Sequence, residues 1–594
     1  MIKQLTLLLA LLLSFTVGAQ KDTREIEQFI SELDDKIPKL LNDFIVPGTA
    51  IAIIENGEII LQKGYGYSNI DKGVKVSNTT GFNIGSISKT VAAWGVMKLV
   101  QEGKIDLDAP AEMYLTRWHL PKSEFDSDKV TIRRLLSHTA GLSLHGYPGW
   151  SSKDNLPTIE ESLNGKNNGP GRVEIIMEPG TKWKYSGGGF SILQLIIEEV
   201  TKQRFEDYMQ TEILNPLGMT NSSYTINEKI LKSSSLEHNN FGEVIDFELF
   251  TAQAAAGLHT TIEDFTKFAR ASLYTYKNNN QQILSASNLQ QMMEPAQASN
   301  GSYGLGYGIE SINGTSITLV GHGGANSGWH AFLRLNPVTN DGFIMITNGG
   351  AGHNIYRQVY CDWIYWKTGE SMGNRCNIVP SIANKLKTII ETEGIDKIQS
   401  QYLELKKNET NGYNFSEDQL NYLGYHYLGK DKVDYAISIF KINVDAFPKS
   451  SNVYDSYGEA LLKNGDKEKA IENYKKSVEL NPGNEGGIKV LKELGINTDE
   501  LFKEIIIDDT ILESYIGKYE LSPEFVITVS KDGSQLKAKP TGEEEFEIYP
   551  KSKNVFYLKV VEAQITFNKS EDGTVVSMTL LQRGQETTGL KLKD

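Results

Sequence analysis

The sequence predicts a multidomain chain: an α/β (α+β) domain with an antiparallel sheet flanked by helices, then α-helical repeats, then a small antiparallel β-barrel. Three observations predict it. An amphipathic helix, a hairpin and a buried helix follow one another early in the chain, and strands recur between residues 317 and 347. After Ile378 the chain turns helical and charged, with a period of 34 residues. Beyond Asp508 eight short alternating runs are separated by turn signals. A chain of 594 residues is too long for one core. The expected boundaries are 20–375, 380–505 and 509–594.

Composition narrows the class. With 39% hydrophobic and 23% charged residues the chain is globular. Its net charge of −15 argues against nucleic acid as a partner, because phosphate binding needs a basic surface. The first nineteen residues read as an export signal: Lys3, the leucine-rich run Leu5 to Val17, and the small-residue site Val17-Gly18-Ala19. The mature chain is then expected to begin at Gln20, in the periplasm or outside the cell. No later stretch is long and apolar enough to span a membrane. In that setting Cys361 and Cys376 either form a disulfide or stay as two free thiols. A disulfide would close a loop of about 15 residues, worth about 3 kcal/mol in the chain-entropy model. Two cysteines do not make a zinc site, and no cofactor is expected.

Glu25 to Phe44 places Ile26, Phe29, Ile30, Leu33, Ile37 and Leu41 on one helical face. Thr49 to Ile54 and Ile59 to Gly64 flank the turn Glu55-Asn56-Gly57-Glu58 as a hairpin. Next comes Phe82-Asn83-Ile84-Gly85-Ser86-Ile87-Ser88-Lys89, then an apolar run to Val100 that suits a buried helix ending at Gly103. Gly85 permits a tight backbone approach just ahead of the helix. Ser86 and Lys89 are three apart and share a helical face. A serine hydroxyl needs a base beside it, and a lysine serves once burial lowers its pKa.

His138, in Leu-Leu-Ser-His-Thr-Ala-Gly-Leu (135–142), invites a triad. The plainer reading, a histidine that holds the loop before Gly141, is preferred because Lys89 already supplies a base. Tyr185 precedes Ser186-Gly187-Gly188-Gly189, which suggests a side chain held over a close backbone approach, with a helix from Ser191 to Val200. An apolar strand then ends in Gly321-His322-Gly323-Gly324-Ala325, followed by strands at 330–336 and 342–347 and a closing helix at 354–366. The glycines form either a turn or a bare strand edge whose N–H groups bind an oxyanion.

The ordered set Ser86-x-x-Lys89, Tyr185-Ser186-Gly187 and His322-Gly323-Gly324 resembles the serine β-lactamase and penicillin-binding-protein superfamily. Within it the match is to class C β-lactamase-like hydrolases, the branch holding esterases and D-aminopeptidases. Supporting motifs are 135–142, Leu-Asn-Pro-Leu-Gly-Met (214–219) and Ala-Ala-Gly-Leu (255–258). The resemblance covers about residues 25–370. It implies that Ser86 is acylated and that Lys89 and Tyr185 share the proton transfers. The backbone N–H groups of Ser86 and Ala325 would form the oxyanion hole. His322, Gly323, Gly324 and Gly187 would line the substrate side.

Two departures bear on substrate. Relatives usually carry Asn at the third place of the tyrosine motif, where Gly187 brings no amide. His322 stands where relatives carry Lys or His, and it is a weaker cation than Lys near pH 7. Both weaken the case for a true β-lactamase. Lys367-Thr368-Gly369 imitates the third motif but ends a helix with no strand pair after it, and Glu160 imitates an acid loop in the wrong order. The implied function is an exported serine hydrolase acting on small esters or D-amino-acid peptides. The alternatives are a β-lactamase or penicillin-binding D,D-peptidase, or a silent scaffold that recruits a partner through its repeats.

In the second half, Gly424 aligns with Gly458, Ala436 with Ala470, Phe440 with Tyr474 and Pro448 with Pro482. The pattern resembles tetratricopeptide repeats, with 386–405 as a degenerate first unit. Two repeats bury little core alone, so the stack must lean on a neighbour. The eight runs from Tyr515 to Leu592, with hairpin turns at Asp532-Gly533 and Asp572-Gly573, resemble a lipocalin-like barrel. The expected partners are a small-molecule or peptide substrate and a protein on the repeats.

Overall fold

The computed structural model describes residues 23–151, 156–166, 171–277, 283–408, 412–498, 505–523, 525–582 and 585–592. The expected leader and its cleavage point lie outside the described residues. The chain divides into two compact units between Ile378 and Val379.

The first unit is built on a seven-stranded antiparallel sheet. Its central strands, Gly48–Glu55 and Asp341–Thr347, are buried at every position. Their side chains alternate between two cores, as the period of two requires. Ile51 and Ile53 pack with Phe29, Leu33 and Ile37 of the helix Thr23–Asp43 and with Trp363 of the helix Gly352–Thr368. Ala50, Ala52 and Ile54 share the other core with the helix Ser88–Gln101. That helix is buried from Ser88 through Met97, which a sequence with so few polar breaks allows. It ends where Gly103 turns to φ +70°.

Cys361 and Cys376 are bonded, tying the closing helix to the turn Gly373–Cys376. Lys367 pairs with Glu55 at 2.6 Å and Asp341 at 2.9 Å, a buried structural use that accounts for the motif look-alike. Glu160 pairs with Arg117 at 3.2 Å, within a short capped helix.

In the second unit, helices 382–393 and 398–407 precede two helical hairpins: 417–429 with 433–446, and 451–463 with 467–480. The repeat has a packing cause. A Cβ on Gly424 would lie 2.3 Å from the Phe440 ring, and one on Gly458 would lie 3.1 Å from the Tyr474 ring. Each glycine admits the aromatic of its partner helix. The stack leans on the C-terminal domain. Glu562 accepts from the Ser451 N–H at 2.7 Å, and Lys551 and Gln564 both donate to the Leu480 carbonyl at 2.7 Å. That domain is a closed barrel of eight antiparallel strands, sealed by Tyr519 pairing with Lys591. Among the described residues no helix is long and apolar enough to cross a membrane.

Candidate active site

The site begins at a backbone contact. Gly85 lies at φ +51°, and a Cβ there would sit 2.6 Å from the Ala325 backbone nitrogen. Only glycine lets the turn Gly85–Ile87 meet the end of the strand Thr318–Ala325. Gly324 serves the same contact from the strand side, since its Cβ would fall 1.9 Å from the Ile84 carbonyl oxygen. Gly323 is half-open, with 4.0 Å of clearance to the Phe332 ring. The pair lies inside the strand and not in a turn. The neighbouring strand Gly308–Ser311 pairs with it only as far as Gly321, so the edge from His322 to Ala325 is unpaired on that side.

Ser86 is half-buried on the turn, and Lys89 Nζ donates to its Oγ at 3.1 Å and to the Ala255 carbonyl at 2.8 Å. Lys89 is 2% exposed, and burial pushes its pKa down to about 7. The Ala255 acceptor gives the 255–258 motif a physical role. Leu258 contributes twice more: its N–H donates to Ser88 Oγ at 2.9 Å, and its carbonyl accepts from the Ile84 N–H at 3.1 Å.

Lys89 Nζ lies 5.0 Å from the centre of the Tyr185 ring. Burial raises the Tyr185 phenol well above its usual pKa, the nearby Ser86 hydroxyl opposing part of the rise. Its Oη has no partner at ordinary hydrogen-bond geometry among the described residues. The following helix begins at Gly187, four residues earlier than the glycines suggest. Ser186 is its N-cap, accepting from the Gly189 N–H at 3.0 Å and donating to the Ser143 carbonyl at 2.6 Å. The Gly187 N–H donates to the His145 carbonyl at 3.0 Å, and a Cβ there would lie 2.9 Å from that oxygen. The space a motif asparagine would need is taken by the His145–Gly146 backbone. The exposed His145 ring stands 4.8 Å from the Tyr185 ring.

Three histidines surround the cleft, and each has its pKa lowered first by burial and then by the Lys89 charge. For His322 the value falls to about 3. Its Nδ1 donates to the Gly323 carbonyl at 2.5 Å, which leaves a buried Nε2 lone pair without a partner among the described residues. Burial thus favours the neutral form of His322, in the direction of its being a weaker cation than a lysine. His138 has the opposite tautomer. Its Nδ1 accepts from the Ser186 N–H at 3.1 Å, and its ring packs 4.2 Å from the Tyr185 ring. The side chain, on backbone at φ +58°, holds the tyrosine segment instead of a local turn before Gly141. Tyr303 closes this aromatic wall, 4.9 Å from His138 and 5.9 Å from His322. His145 and Tyr303 lie outside every motif quoted from the sequence, and Ala255 and Asn83 lie within quoted motifs but have no role assigned there.

Residues 33–357 match the family model described as Beta-lactamase, 451–484 match Tetratricopeptide repeat, and 503–591 match Domain of unknown function (DUF3471). Protein flp of Staphylococcus aureus (strain MRSA252) is 28% identical over 324 residues, 53% of this chain and 62% of the relative. The chain thus spans less than two thirds of that relative's length. The putative penicillin-binding protein PbpX of Bacillus subtilis (strain 168) is 27% identical over 296 residues, 48% of this chain and 69% of the relative. The octameric penicillin-binding protein homologue from Pyrococcus abyssi aligns at a TM-score of 0.45 and 18% identity, over 96% of this chain and 100% of that one. Matched over more than half of its length, with a serine one turn before a buried lysine at its centre, the chain belongs to the beta-lactamase family.

Proposed function

We propose that the protein is a serine hydrolase working through a Ser86 acyl-enzyme on small esters or amides that present no carboxylate to the cleft, D-amino-acid amides and peptides among them. The observation that carries this reading is the buried Lys89 ammonium, 3.1 Å from Ser86 Oγ and with its pKa lowered to about 7. A neutral Lys89 takes the Ser86 proton as Oγ bonds to the substrate carbonyl carbon. The carbonyl oxygen becomes an oxyanion that the N–H groups of Ser86 and Ala325 receive. Collapse breaks the bond to the leaving alcohol or amine, which takes its proton through Tyr185. Water then attacks the acyl carbon by the reverse proton route and frees Ser86.

The substrate preference follows from charge. His138, His145 and His322 are all held toward the neutral form, so His322 offers no cation to a substrate carboxylate. Gly187 offers no amide. A hydrogen bond to a charged group contributes roughly 1.5–3 kcal/mol, so a carboxylate-bearing β-lactam forgoes about tenfold or more in binding. The likeness to PbpX favours a second reading, acylation by penicillins. The disulfide and the leucine-rich leader support an oxidising compartment outside the cytoplasm. The repeats support a protein partner.

The test is competitive labelling. A fluorophosphonate probe and a fluorescent penicillin are each offered to the protein and to Ser86→Ala. Labelling by the fluorophosphonate at a far higher rate, abolished in Ser86→Ala without loss of Tm, is the expected result. Faster acylation by the penicillin transfers the assignment to the second reading, and labelling of the Ser86→Ala variant sinks both.

A further inference from the structure

Asn83 does not touch the reacting atoms, yet its side chain joins the two halves of the site. It is 1% exposed. Its Oδ1 accepts from the Gly85 N–H at 2.7 Å and from Asn326 Nδ2 at 2.7 Å. Its Nδ2 donates to the Ala256 carbonyl at 3.1 Å and to His259 Nε2 at 3.2 Å. Both lone pairs and both protons of the carboxamide are used. The Gly85 N–H can only donate, which fixes which end of the amide is oxygen.

The partners decide what this accomplishes. Gly85 immediately precedes Ser86, and Asn326 immediately follows Ala325. One oxygen atom therefore spans the two segments whose adjacent N–H groups face a developing oxyanion. No side chain intervenes, because Gly85 leaves the Ala325 nitrogen bare. The third arm runs to Ala256, whose neighbour Ala255 accepts from Lys89. We propose that Asn83 is a positioning residue that fixes the separation of the two oxyanion donors and registers the base against them. The proposal rests on the acyl-enzyme reading above. The bond to Gly85 alone would be a local turn; the shared bond to Asn326 makes the turn and the strand end one unit.

Burial of the carboxamide means that Asn83→Ala has a stability cost of its own, so the test pairs it with Asn326→Ala, which removes one arm at a half-buried site together with a longer bond from Asn326 Nδ2 to the Ala256 carbonyl at 3.4 Å. Three quantities are followed on a small chromogenic ester: kcat, KM, and the affinity of a boronic acid, whose adduct on a serine places an oxygen where the oxyanion forms. Both single variants should lose roughly 10- to 100-fold in kcat, short of the loss from deleting an oxyanion donor, with KM nearly unchanged. Boronate affinity should fall in step with kcat. The double variant should be no worse than the weaker single, because both remove one shared brace. A lower Tm with unchanged kcat and boronate affinity in Asn326→Ala overturns the proposal, as do fully additive losses. If Asn83→Ala does not fold, Asn326→Ala decides alone. Should the unmodified protein fail to label at Ser86, the acyl-enzyme reading falls instead, and the two failures are distinct.

Discussion

At the scale of the residue, Lys89 sets both an activity profile and a stability cost. Its pKa is lowered by burial, so below about pH 7 it holds a proton and cannot accept one from Ser86. The expected kcat/KM for a neutral ester rises with pH and levels off above an apparent pKa near 7. A stopped pH series on a non-ionising ester checks this, and a flat profile from pH 5 to 9 contradicts it. The stability effect has the same origin. Between about 7 and the ordinary lysine value near 10.5 the unfolded chain binds a proton at Lys89 that the folded chain does not. Stability therefore gains a contribution that increases with pH over that window. Lys89→Met, which keeps the volume and drops the charge, should remove turnover, raise Tm at pH 7, and flatten part of that pH dependence.

At the scale of the element, the site depends on how helices start. The glycines at 187–189 look like a loop because glycine has low helix propensity. They form the first turn because Ser186 caps it and because the chain at 143–146 lies directly against it, where side chains would collide. Local composition does not record that tertiary contact, so the expected start at Ser191 was four residues late. The same cause explains Gly324, where a Cβ would collide with the Ile84 carbonyl; Gly323 has no such close neighbour. By contrast, the helix at 88–101, the hairpin and the eight barrel strands were legible, because an unbroken apolar run or an apolar alternation lies within each element and needs no partner to be named. The reactive pair Ser86 and Lys89 was legible for a similar reason, being local in sequence. Ala255 and His145 reach the site from distant segments through backbone or neutral groups, whereas Asn83 is local in sequence but acts through a neutral amide. Ser186→Ala isolates the cap. It should lower stability by about 1 kcal/mol. It should also depress kcat beyond what that loss explains, because Tyr185 is the preceding residue. A loss in Tm alone, with kcat intact, would detach the cap from the chemistry.

At the scale of the whole molecule, the question is which unit carries the chemistry. Every contact assembled around Ser86 is internal to the first unit: the Gly85 turn, Lys89 on Ala255, Tyr185 behind its Ser186 cap, and the strand edge from His322 to Ala325. The Cys361–Cys376 bond also closes within that unit, and so does the sheet with both of its cores. The second unit has its own internal joint, where Glu562 of the barrel accepts from the first turn of the helix Ser451–Lys463. A fragment ending at Ile378, oxidised so that the disulfide forms, is therefore expected to fold and to take up a fluorophosphonate at Ser86 at the rate of the full chain. Its kcat/KM on a small ester should match within about twofold, since the groups named above around Ser86, Lys89 and Tyr185 all precede Ile378. On a large peptide substrate the fragment is free to differ, and a loss confined to such substrates would assign the repeats and barrel to substrate delivery. A folded, monodisperse fragment that fails to react with the probe would mean that the second unit completes the site, and the assignment of the chemistry to the first unit would be withdrawn.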